Sequence, residues 1–158
     1  MNPILQYGFE AFCKKAKVVG VDGLILPDLP LYEFEHMYGK TIQENNLDFV
    51  FLVTPETPED RIRKLDSLST GFLYAVSSSA TTGKDKDFTQ VALYLQKLQA
   101  MQLKNPVLVG FGIKDKETFN AVCAYSNGAI IGSAYINALS KGKDINETTA
   151  QFLKAVLN

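Results

Sequence analysis

Five times along this chain a short, β-rich apolar run gives way to a polar turn and then to a segment of helical period. The runs are Gly23–Asp28 (GLILPD), Phe49–Thr54 (FVFLVT), Gly71–Ser77 (GFLYAVS), Pro106–Gly112 (PVLVGFG) and Gly128–Ser133 (GAIIGS). Their apolar residues are consecutive rather than alternating, as in parallel strands covered on both faces. Successive runs lie roughly 22–35 residues apart, the length of right-handed β-α-β crossovers.

Helical segments are predicted in the gaps. Phe9–Val19 places Phe9, Phe12, Cys13 and Ala16 at spacings of three and four, and Leu31–Asn45 stops at a polar Asn-Asn pair. Pro58–Leu68 opens with proline at an N1-like position and two acids in its first turn, both favourable at a helix start. Asp87–Met101, Lys116–Tyr125, a short helix near Ala134–Leu139 and a last one near Glu147–Leu157 complete the order α-βα-βα-βα-βα-βα. No linker or charge block interrupts it, so residues 1–158 read as one domain. The expected fold is α/β with five parallel strands, either an open doubly wound sheet or part of a (βα)8 barrel. Five strands cannot close an eight-stranded barrel, and 158 residues fall about 90 short of a typical complete one.

Composition narrows the functional classes. The hydrophobic fraction of 46% supports a packed core. Sixteen lysines and arginines against 17 acids leave no basic excess for nucleic acid or an anionic membrane. No apolar run approaches a membrane span, and MNPILQYGFEAFCKK lacks the charge order of a signal peptide, so a cytoplasmic location is expected. Cys13 and Cys123 lie far apart among apolar neighbours and read as two buried thiols. The single histidine, His36, rules out a multi-histidine metal site. A serine–histidine triad would have to use that same ring, inside the acidic helix EFEHMYGK.

Ligands in either architecture bind beyond the carboxyl ends of the strands. Asp28 follows the first run, held between two prolines, where it is equally a turn former or N-cap. The third run ends in the hydroxyl-rich loop Ser77–Thr82 and Gly83, the fourth in Gly110-Phe111-Gly112-Ile113, and the fifth in Gly132-Ser133 before a short helix. Glycines there admit an anion to the backbone, and helix N-termini aim N–H groups at it. Phosphate binding is one reading of these ends; tight βα turns are the other. Tyr74, inside the third run, reads as core by position.

In this order the segments GVDGLILPDLP, FLVTPETPEDRI, YAVSSSATTGKD, PVLVGFGI and GAIIGSAYI resemble the alpha subunit of tryptophan synthase, over essentially the whole chain. The resemblance implies a phosphate-binding (βα)8 barrel of which this chain carries strands four to eight, the C-terminal part, without the first three. It implies retro-aldol cleavage of indole-3-glycerol phosphate to indole and glyceraldehyde 3-phosphate in tryptophan biosynthesis, making this a lyase chain. Phosphate would lie on backbone groups around Gly83, Phe111-Gly112-Ile113 and Gly132-Ser133. Tyr74 would line the indole pocket, Thr82 would belong to a closing loop, and Asp28 would sit near the reacting centre. Asn2–Gly8 and the Asp28 stretch would face a beta subunit, which carries pyridoxal phosphate; this chain would need no cofactor.

The family's two catalytic carboxylates, a glutamate and an aspartate of the second barrel unit, match no position here. Glu10, Glu33, Glu35 and Glu44 fall on predicted helices instead. Lyase activity is therefore not expected of the isolated chain. Ser78 and Ala80-Thr81 depart from the family's loop. Open strand edges would favour self-association. The alternative is a non-catalytic module that binds a phosphate ligand or a beta subunit.

Overall fold

A computed structural model describes residues 1–76, 88–110 and 112–158, with backbone alone at 88 and 89. Helices α1 (Asn2–Tyr7) and α2 (Phe9–Val18) lead into β1 (Gly23–Leu24). A helical stretch follows, composed of α3 (Leu31–Glu33), a π-helical turn (Phe34–Tyr38) and α4 (Gly39–Glu44). Next come β2 (Asp48–Phe49), β3 (Phe51–Val53), α5 (Glu59–Leu68) and β4 (Leu73–Val76). The chain continues through α6 (Phe88–Ala100), β5 (Val107–Gly110), α7 (Lys116–Cys123), β6 (Gly128–Ala129), α8 (Ser133–Lys141) and α9 (Ile145–Leu157).

Every strand pairing is parallel, and spatial order follows sequence order: β1 with β2, then β3-β4-β5-β6. The second apolar run yields two strands because it changes partner at Val50. Its first half pairs with β1 (Gly23 opposite Asp48), its second with β4 (Phe51 opposite Leu73). The expected five-stranded parallel slice is present, with one run divided.

The two sheet faces differ. Phe51, Val53, Leu73, Ala75, Val107 and Val109 are buried and join one core with Ile62 and Leu65 of α5, Leu95 and Leu98 of α6 and Val122 of α7. The alternate residues Leu52, Tyr74, Val76 and Leu108 are only half-buried. The consecutive apolar positions predict a sheet covered on both faces; helices bury one face, and the residues of the other are only half-covered. Near β2, Phe34, Phe49 and Phe51 meet with ring centroids 4.6–4.9 Å apart.

Loop side chains satisfy one N–H group in each of three strands. Thr70 Oγ1 accepts from Phe49 N at 2.9 Å, Ser69 Oγ from Phe51 N at 3.3 Å, and Asn127 Oδ1 from Val107 N at 2.8 Å. A buried strand end left unpaired would cost free energy comparable to a lost hydrogen bond.

Helix bounds differ from the sequence expectation in small, explicable ways. Pro58 is the N-cap of α5 rather than its first residue, with extended φ −60° and ψ 151°. The helix expected near Ala134–Leu139 runs Ser133–Lys141, and Asn2–Tyr7, which carries no helical apolar stripe, is also helical. Cys13 is buried as expected, but Cys123 is only half-buried; burial pushes both thiols up.

Candidate functional site

The carboxyl ends of β4, β5 and β6 open onto one cleft of about 440 Å³. Tyr74 forms a wall from β4. Gly112, Ile113 and Lys114 come from the turn after β5, and Ile130, Gly132, Ser133, Ala134 and Asn137 from the β6–α8 junction. Each group owes its place to a local rule. Gly112 has φ 77°, the left-handed region that glycine enters without strain, and this turns the chain toward α7. Ile113 is buried and anchors that turn in the core. Thr118 and Asp115 then start α7 with a reciprocal capping box: Asp115 accepts from Thr118 N at 2.9 Å and from its hydroxyl at 2.7 Å. These two bonds, and then the Lys114 charge, hold the Asp115 carboxyl below the usual range.

Gly132 differs from Gly112. Its φ is −108°, and a Cβ built on it would meet no described atom within 4 Å. Packing among the described residues does not require a glycine there, and the residue lines the cleft. Gly132 is also the N-cap of α8, where no side chain caps the first turn, whereas aspartates cap α7 and α9. The positive end of a nine-residue helix therefore borders open space.

Tyr74 lies across Gly110. A Cβ on Gly110 would overlap the Tyr74 hydroxyl and ring, so the glycine is what lets the phenol cross from β4 over β5. The mid-strand position of Tyr74 suggests core, yet its side chain is half-buried and faces the cleft. Burial pushes its phenol up, so it is neutral at physiological pH. Among the described lining residues Lys114 carries the only charge, and there is no carboxylate. Such a cleft can hold an anion beside an aromatic wall. Its described lining residues include no carboxyl group for proton transfer.

Of the expected site residues, Tyr74, Gly112, Ile113, Gly132 and Ser133 come together here. Asp28 does not. It lines a separate depression of about 340 Å³ with Arg61 and Thr57. Its side chain is 80% exposed, 3.7 Å from the Met1 ammonium, because the Pro27–Pro30 turn projects it outward rather than along the strand ends. Thr82, Gly83, Phe111 and the Ser77–Thr82 loop lie outside the described residues. Lys114 and Asn137 were missed by sequence reasoning. Lys114 directly follows the GFGI turn, a position that could have flagged it, whereas nothing local marks Asn137.

The acids expected on helices are there, away from the cleft. Glu10 pairs with Lys14 at 2.6 Å, Glu35 with Lys64 at 2.5 Å, and Glu44 with Lys40 at 3.7 Å. His36 is exposed, its Nδ1 2.8 Å from the Tyr32 carbonyl oxygen. Among the described residues no three His, Cys, Asp or Glu side chains are grouped to hold a metal, and no helix is long and apolar enough to cross a membrane.

The family model described as Tryptophan synthase alpha chain matches residues 1–158. The chain belongs to the tryptophan synthase alpha chain family. It is 50% identical over 141 residues to the tryptophan synthase alpha chain of Flavobacterium psychrophilum, covering 89% of this chain and 56% of that one. The Parabacteroides distasonis alpha chain is 46% identical, covering 99% of this chain and 61% of the relative. The chain thus spans less than two thirds of these family members. The tryptophan synthase A-subunit of Pyrococcus furiosus superposes with a TM-score of 0.84 at 30% identity, over 99% of this chain and 63% of that one. The alpha subunit from Campylobacter jejuni does so with a TM-score of 0.81 at 27% identity, over 62% of its length. These superpositions agree with a partial (βα)8 barrel and not with an open doubly wound sheet.

Proposed function

We propose that this chain supplies the phosphate-holding and indole-lining side of an indole-3-glycerol-phosphate lyase in tryptophan biosynthesis. The observation that carries this reading is the vacant space over Gly132 at the uncapped start of α8. A phosphate monoester set there receives backbone N–H groups and the positive helix end, with Ser133 beside it. The indole ring then extends toward Tyr74, whose neutral phenol supplies an apolar wall with a polar tip.

Retro-aldol cleavage needs a carboxyl group that protonates indole C3 and, once deprotonated, takes the proton of the glycerol hydroxyl that becomes the aldehyde as the carbon–carbon bond breaks, and a carboxylate to assist at the indole nitrogen. The described lining residues include neither. We assign both acids to the part of the family's length that this chain does not span, so the 158-residue chain alone binds without turning over. The partner in this reading is a cytoplasmic beta subunit holding pyridoxal phosphate, and this chain carries no cofactor. The P. furiosus relative of a tryptophan synthase complex, with a TM-score of 0.81, favours that partner.

Calorimetric titration with inorganic phosphate, paired with an indole-release assay with and without a beta subunit, tests the reading. The chain should bind phosphate and release no indole alone. Gly132→Ala should leave the unfolding midpoint nearly unchanged, since the Cβ meets no described atom, and weaken phosphate binding about tenfold or more. Absence of phosphate binding by the unmodified chain would remove the reading; indole release by the purified chain would overturn the assignment of the acids.

The terminal strands β1 and β6 each have one neighbour in the described sheets, which leaves strand edges open to pairing. We expect self-association in concentrated solution, read by light scattering. A monomer at all concentrations, with no dye-binding apolar surface, would show the edges to be closed by other means.

A further inference from the structure

Polar contacts between α5 and the α6 side of the fold repeat at one sequence offset. Glu59 pairs with Lys97 at 3.2 Å, Arg63 donates to the Met101 carbonyl at 3.1 Å, and Asp66 accepts from the Lys104 N–H at 2.7 Å. In each pair the second residue lies 38 positions after the first. Successive rungs are three or four residues apart on both sides, about one helical turn. One turn further toward the carboxyl ends of the strands, the same offset joins Glu56, in the turn before α5, to Tyr94 on α6. That rung is open. Tyr94 is only 6% exposed, and its hydroxyl has no hydrogen-bond partner among the described residues. Glu56 is exposed and makes no ion pair among them. Burial, and then the Glu56 charge, push the Tyr94 phenol up, so the hydroxyl keeps its proton and stays a donor. Buried hydroxyls are normally paired, and an orphaned one costs free energy that phenylalanine in the same space would not.

We propose that the turn from Thr54 to Thr57 is a strap that latches onto α6 through a hydrogen bond from the Tyr94 hydroxyl to the Glu56 carboxylate. The turn is already organised: the Thr57 N–H donates to the Thr54 carbonyl at 3.0 Å and the Thr54 N–H to Thr57 Oγ1 at 2.9 Å, with Glu56 at the tip. Closing swings the Glu56 side chain inward over α6 and leaves the three lower rungs as they are. It supplies the buried donor with a charged acceptor, the stronger kind of hydrogen bond, and ties the carboxyl end of β3 to α6. The latch stands apart from the phosphate reading, since neither residue lines that cleft.

A double-mutant cycle tests it, read by urea unfolding of the unmodified chain, Tyr94→Phe, Glu56→Ala and the pair. With the latch closed, Tyr94→Phe should lower the folding equilibrium constant roughly three- to tenfold when Glu56 is present, and leave it unchanged or raise it once Glu56 is alanine. Amide hydrogen exchange at Thr57 should quicken by a similar factor in each single variant and no further in the pair. An open rung reverses the sign. Tyr94→Phe would then raise the folding constant in both backgrounds, because it removes an orphaned hydroxyl, and that result would overturn the latch. An equal loss in both backgrounds would also overturn it, by assigning the hydroxyl to a partner other than Glu56.

Discussion

Gly110→Ala should destabilise the chain by roughly 1–3 kcal/mol and displace the Tyr74 ring from the cleft. The cause is steric. Gly110 is buried in β5, and the first carbon of any side chain there would occupy the volume that the Tyr74 phenol now fills. Val76 lies opposite Gly110 in the sheet register, so Tyr74 reaches the glycine diagonally, from two residues back on β4. A diagonal contact leaves the backbone pairing in place while the ring moves. Urea unfolding of Gly110→Ala, Tyr74→Leu and the double variant measures the coupling. Shortening the ring to leucine should recover about 1–2 kcal/mol of the alanine's cost. Strict additivity of the two changes would refute the contact. Phosphate affinity should change less than stability, since the proposed anion position lies on the β6–α8 side.

A larger loss is expected at Asp66, a buried carboxylate far from any chemistry. Its oxygens accept from Lys104 N at 2.7 Å, Asn105 N at 2.9 Å and Asn105 Nδ2 at 2.9 Å, and Asn105 Nδ2 also reaches the Asp66 carbonyl at 2.6 Å. These bonds tie the end of α5 to the start of β5, with Asp66 and Asn105 both under 9% exposed. Asp66→Ala removes the acceptor and strands buried N–H groups. The expected cost is roughly 3–5 kcal/mol, seen as a fall in Tm of roughly 10 °C. Asp66→Asn keeps the shape but faces an amide NH₂ toward an N–H donor, so it should lose about half as much. A change below about 1 kcal/mol for the alanine variant would mean that water replaces the carboxylate.

Which parts of this arrangement the sequence discloses follows from how local each cause is. Consecutive apolar residues identify the strands, and their spacing identifies the crossovers, because both signals lie within single segments. The exchange of partners at Val50 depends on β1, 26 residues before it, and β4, 23 residues after it, so it leaves no local mark. The π-helical turn at Phe34–Tyr38, whose first residue packs on Phe49 and Phe51, likewise leaves no local mark. At the site, glycine at a strand end is a readable signal for Gly112 and Gly132, although their reasons differ: backbone conformation for one, vacant space for the other. The direction of Asp28 is not readable, since two prolines fix a turn without revealing which way its side chain points. Lys114 is recognised as a lining residue only when α8, 19 residues downstream, is seen to share its cleft.

The strictly sequential strand order has a consequence for how such a chain assembles. No strand waits for a distant partner to arrive, because each βα unit lies beside the one synthesised just before it. Closure entropy is met in small, similar steps, and growth can begin at any unit, as in linear repeat proteins.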